Sequence, residues 1–88
     1  MKMKFKRDNS VSFAEIDEEI CIFSPIHAEY FSLNETASYI WGLLESPLTF
    51  DDIVAKLILR FKIKEDICRE ETKKFLKEAK NKNLINEG

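Results

Sequence analysis

The run Tyr30–Pro47, YFSLNETASYIWGLLESP, changes its hydrophobic period within a single residue. Up to Leu33 it reads as a strand. Beyond Asn34, residues Ala37, Ile40, Trp41 and Leu44 recur at i, i+3, i+4 and i+7, one face of a helix, and Leu43 widens the stripe. Asn34 stands at the joint. Its side chain can accept from the first free helical N–H groups, and Glu35 suits the positive end of the helix dipole. Ser46-Pro47 ends the helix, because proline disfavours helical backbone in the residue before it. A strand joined this directly to a helix lays the helix alongside it, and strand plus helix makes a groove.

Upstream, Val11, Phe13 and Ile16 mark a strand near 10–16, and Asp17-Glu18 turns the chain. EICIFS at 19–24 is apolar on both faces, which predicts a strand buried on both. Ser24-Pro25 is a turn signal, and HAEYFSL at 27–33 forms the third strand of an antiparallel meander. Residues 1–9 are basic and polar and read as a tail or frayed strand, so the domain proper runs over 10–88.

Downstream, Thr49 and Asp52 resemble a capping box, and Leu48 and Ile53 sit at staple positions. Ile53, Leu57 and Phe61 form the stripe of this second helix, flanked by Val54 and Ile58. A third helix begins near Lys64–Asp66, acidic at its start and basic at its end as the dipole prefers. Cys68, Thr72, Phe75, Leu76 and Ala79 make its inner face, and Leu84 and Ile85 fold back on the core. The predicted fold is α+β and winged helix-turn-helix-like: a three-stranded antiparallel meander followed by three α-helices.

Eighty-eight residues suffice for one domain with a thin core. No apolar run reaches the ~20 residues of a membrane span, and none follows the basic N-terminus as in a secretory signal. The expectation is a cytoplasmic protein that does not act on membranes. Cys21 and Cys68 lack a metal or redox spacing and read as buried or half-buried thiols, so neither metal nor cofactor is expected. His27 is the sole histidine. No nucleophile setting, zinc-binding pair or glycine-rich phosphate loop accompanies it, so the chain is not expected to be an enzyme. The net charge of −2 and only three arginines argue against nucleic acid. Lys73, Lys74, Lys77 and Lys80 can still touch phosphates, which keeps a winged-helix DNA-binding protein as an alternative. Peptide capture is the remaining class, because an exposed sheet edge is a template for an added strand.

The order YFSLNETASYIWGLL, LTFDDIVAKLILRFKI and KKFLKEAKNKNLI resembles the PqqD-like family. The match is carried by Leu33, Asn34, Thr36, Ala37, Ile40, Trp41, Leu43 and Leu44. It continues with Thr49, Asp51, Asp52, Phe75, Leu76, Leu84 and Ile85, and spans about residues 10–86. One departure is Phe61-Lys62-Ile63, where members often carry Tyr-Gly. The resemblance implies a RiPP recognition element, which binds the leader of a ribosomally made precursor peptide. The leader would add to the third strand at Ala28, Glu29, Tyr30, Phe31 and Ser32. It would lie against the third helix within Arg69–Lys80, at Arg69, Lys73, Leu76, Lys77 and Lys80, with the basic run holding acidic leader residues. The resemblance is greatest to the free-standing leader-binding proteins of lasso-peptide biosynthesis, whose partner is a separate leader peptidase of the cysteine protease type. A stand-alone chaperone for a radical-SAM peptide-modifying enzyme, as in pyrroloquinoline quinone synthesis, is the alternative. A monomer or a strand-exchanged dimer is expected.

Overall fold

The computed structural model describes residues 3–88. The fold is α+β. Strands β1 (Lys4–Arg7), β2 (Ser12–Ile16), β3 (Glu19–Ser24) and β4 (Glu29–Ser32) come first. Helix α1 (Glu35–Leu43), the two-residue strand β5 (Leu48–Thr49), α2 (Phe50–Phe61), α3 (Glu65–Asn81) and β6 (Ile85–Glu87) follow.

The expected meander is present as an antiparallel sheet ordered β2-β3-β4. Asp17 and Glu18 both take left-handed backbone, with φ of 50° and 70°, as a two-residue hairpin turn with right-handed strand twist requires. Register places Phe31 opposite Ile22 and Tyr30 opposite Phe23. Side chains facing each other share a face of the sheet, so Ile20, Ile22 and Phe31 point towards the helices. Cys21, Phe23 and Tyr30 point away. The inner residues Ile20 and Ile22 are buried, whereas Cys21 and Phe23 are half-buried. Burial of β3 on both faces, expected from its composition, is therefore corrected: among the described residues no layer covers the outer face.

A second sheet, β5-β1-β6, was not expected. The tail expected over residues 1–9 contains β1, which pairs with β5 on one side and β6 on the other. The first two residues of that tail lie outside the described residues. Phe5 of β1 packs against the core, and Leu84 and Ile85 are buried as expected.

Local sequence explains the helices. The Asn34 side chain accepts from the Ala37 N–H at 2.8 Å. Thr49 and Asp52 form a reciprocal capping box, each side chain accepting from the other's backbone N–H at 3.1 Å. α2 ends on Lys62, whose left-handed backbone (φ 54°) is the conformation that favours glycine. The core is built from Ile22, Leu33, Ile40, Trp41, Leu44, Ile53, Val54, Leu57, Cys68, Leu76 and Ala79, with both cysteines free. No helix among the described residues is long and apolar enough to cross a membrane.

Candidate functional site

β4 is an edge strand. β3 pairs with one side of it, and nothing among the described residues pairs with the other. The Leu33 N–H donates to the Ile20 carbonyl at 2.8 Å, so Leu33 directs its backbone groups towards β3. Antiparallel ladders alternate, so Phe31 and Glu29 do the same. Tyr30 and Ser32 therefore direct their N–H and C=O groups outward. That makes two donors and two acceptors free for another strand.

The free edge opens onto α3. One cavity of about 320 Å³ lies between the end of β4, α1 and α3, lined among others by Leu33, Ala37, Thr72, Lys74 and Phe75. A second of about 250 Å³ lies beside it, lined by Tyr30, Phe31, Phe75, Ala79, Lys82 and Leu84. Ser32, Leu33, Phe75 and Glu78 line both, so the two cavities form one groove. Its lining mixes apolar Leu33, Ala37, Phe75 and Leu84 with polar Ser32, Asn34 and Thr72. Its wall, along α3 and the residue that caps the helix, alternates in charge: Glu71, Lys74, Glu78, Lys82. The Lys82 ammonium stands over the Phe31 ring, 4.4 Å from its centroid.

The strand–helix corner is held by Ser38, which is buried. Its hydroxyl donates to the Leu33 carbonyl at 3.1 Å and accepts from the Ile20 N–H at 2.9 Å. One side chain thus ties the exit of β4 and the start of β3 to α1.

Of the ten residues expected to form the site, Tyr30, Phe31 and Ser32 line the groove. Glu29 opens β4, but Ala28 falls in the preceding turn with φ 51°, so the strand is shorter than the expected 27–33. The α3 residues take other places. Leu76 is buried in the core. Arg69 bonds to Glu65 and Asp51, both at 3.0 Å, and those bonds raise the pKa of its guanidinium. Lys80 pairs with Glu87 of β6. Lys73 and Lys77 are exposed and line neither cavity. The wall is instead the stripe of Glu71, Phe75, Glu78 and Lys82. In sequence the two flanks of the inner face differ in charge: Arg69, Lys73 and Lys80 are basic, whereas Glu71, Phe75 and Glu78 are acidic and aromatic, and the expectation of an acidic leader favours the first. The signal for the flank that borders the groove is Phe75, a large aromatic residue at the margin of the buried stripe.

The family model described as coenzyme PQQ synthesis protein D (PqqD) matches residues 19–85. The chain belongs to the PqqD family. Among solved structures it is similar to TbiB1 in complex with the TbiA(beta) leader peptide, with TM-score 0.83 and 27% identity, covering 92% of this chain and 94% of that one. It is also similar to lasso peptide synthetase B1 complexed with the leader peptide, with TM-score 0.80 and 18% identity over 93% and 96%. A third is the PqqD truncation of Methylobacterium extorquens PqqCD, described as a stand-alone RiPP recognition element, with TM-score 0.76 and 14% identity over 94% and 88%. At those identities the last two likenesses concern the fold. No curated protein matches.

Proposed function

We propose that this protein binds the leader segment of a ribosomally synthesised precursor peptide by strand addition at β4 and presents it to a separate enzyme. The observation that carries this reading is the free β4 edge, with Tyr30 and Ser32 directed outward beside the groove. Backbone pairing supplies affinity and the groove supplies specificity. The TbiB1 complex, a structure with a leader peptide at 27% identity, supports it. The role is non-catalytic and cytoplasmic. Ordering a free peptide costs about 2–5 kcal/mol, and each apolar anchor buried in the groove returns roughly 1.5–3 kcal/mol. The site comprises Tyr30, Phe31 and Ser32 with Phe75 and Lys82, and tethering raises the local concentration of the peptide's modified part beside the enzyme.

The enzyme is a cysteine-protease-type leader peptidase of lasso-peptide maturation. The family's description in coenzyme PQQ synthesis favours a second reading, a peptide-modifying enzyme of the radical-SAM type. The test is calorimetric titration with the leader encoded beside this gene, with random duplex DNA as the parallel ligand. Saturable leader binding with a negative heat-capacity change is expected. Salt-sensitive DNA binding without leader binding would overturn the proposal.

A further inference from the structure

The meander has a second free edge, and it carries its own groove. A cavity of about 560 Å³ lies between β2 and α1, lined by Arg7, Phe13, Glu15, Trp41 and Arg60 among others. It shares no lining residue with the β4 groove. Phe13 meets Trp41 edge-on, ring centroids 5.6 Å apart, yet remains 46% exposed. The Arg7 guanidinium lies over both rings, 4.8 and 5.6 Å from their centroids, and pairs with no carboxylate among the described residues. Glu15 lines the same cavity and is exposed. Arg60 and the carboxylates of Glu18, Glu35 and Glu45 line the cavity as well; of these charges, Arg7 lies over the Phe13 ring and Glu15 shares the face of β2 that carries Phe13.

Backbone directions follow from the ladder. Ile20 and Ile22 bond towards β4, so Glu19, Cys21 and Phe23 bond towards β2, to Ile16, Ala14 and Ser12. Phe13 and Glu15 are left directing their N–H and C=O groups outward. We infer that β2 is a self-association edge: two copies pair their β2 strands antiparallel about a two-fold axis at Ala14, and the Arg7 of each meets the Glu15 of the other. In this register Phe13 faces Glu15 of the second copy in both directions, which uses every outward backbone group of the two residues. Ser12 faces Ile16, and the small Ala14 faces itself. The neighbouring two-fold registers are worse. One opposes Glu15 to Glu15. The other opposes Phe13 to Phe13 and brings the two arginines together. An inward-pointing charge such as Glu15 guards an edge against stray strands. Arg7 lifts that guard for a second copy alone, which is a self-complementary, isologous arrangement. It goes beyond leader binding and leaves both β4 edges free at the outer ends of a continuous sheet.

The test is sedimentation equilibrium of the whole chain, with circular dichroism to confirm folding. The mass is expected to rise with concentration from 10.3 kDa towards twice that value. Glu15→Arg should hold the protein monomeric, as should Arg7→Glu. Joining the two substitutions should restore the dimer. Tyr30→Pro, on the other edge, should leave it intact. Should Arg7→Glu fail to fold, the exposed Glu15→Arg alone decides. A monomer at every concentration would overturn the inference. So would a dimer that survives Glu15→Arg but not Tyr30→Pro, or folded double-swap protein that stays monomeric. A leader affinity that falls with Glu15→Arg would assign this edge to the peptide instead and overturn it too.

Discussion

Lys82 and Phe31 meet across the β4–α3 groove, ammonium over ring at 4.4 Å from the centroid. The contact closes the groove at the C-terminal end of α3 and puts a positive charge where an added strand would pass. An exposed cation–π pair contributes about 0.5–1 kcal/mol, so Lys82→Ala should shift stability by no more than that in urea. Its effect on an acidic peptide should be larger, with weaker binding and a shallower salt dependence in titration. An unchanged salt slope would mean that Lys82 acts on Phe31 alone.

Tyr30 directs its N–H away from β3, so proline at this position removes a donor from the free edge and spares the ladder. Tyr30→Pro should fold, by circular dichroism, and lose leader binding. A folded variant with native affinity would contradict strand addition in this register.

Phe75 and Arg69 test which flank of α3 faces the peptide. Phe75 lines both cavities of the groove, while Arg69 is occupied by Glu65 and Asp51 on another side. Phe75→Ala should weaken leader binding by roughly tenfold or more, since burying an aromatic anchor is worth about 1.5–3 kcal/mol. Arg69→Ala should leave affinity within error. Calorimetry on the two variants side by side decides, and the reverse result would move the site to the Arg69–Lys80 flank.

The helices and the meander were legible because each is written locally. Asn34, Thr49 and Asp52 announce their caps, and the 3.6-residue stripes of α1 and α2 lie within one window. The sheet β5-β1-β6 was not legible. Its strands have two to four residues, too short for a period, and join Lys4–Arg7 to residues at 48–49 and 85–87. The edge strand of the site was legible because β4 runs into α1 without a loop. Which flank of α3 borders the groove was not, because the basic flank through Arg69, Lys73 and Lys80 drew the reading by its charge, and only tertiary packing turns the flank of Glu71, Phe75 and Glu78 towards β4. Ser38 was missed for a related reason: a serine among Thr36, Ala37 and Tyr39 reads as an ordinary helix residue until its two distant backbone partners are known.

Lys62 shows a local cost carried by the sequence. It ends α2 in left-handed backbone, φ 54°, where a side chain is disfavoured by roughly 1–2 kcal/mol. Lys62→Gly should therefore stabilise the domain by about 1 kcal/mol, the remainder being lost to the freer unfolded chain. A rise in the urea midpoint at constant m-value is the expected reading. A fall would mean that the Lys62 side chain contributes more than its backbone costs.

Ser38 links stability to the site. Replacing it with alanine leaves the Ile20 N–H buried without the partner it has at 2.9 Å, and the Leu33 carbonyl without the hydroxyl. A stranded buried donor costs about 1–3 kcal/mol, a large share of the stability of so small a domain. Leu33 is also the residue that fixes which β4 groups face outward, through its own bond to Ile20. Ser38→Ala should thus lower the melting temperature and loosen β4 together. Hydrogen exchange should quicken at Leu33 and Phe31 more than at the centre of α2, and leader affinity should fall in protein that is still folded. Ser38→Thr keeps the hydroxyl and should recover part of both losses. Uniformly faster exchange with native affinity in Ser38→Ala would reduce Ser38 to a core residue with no hold on the edge.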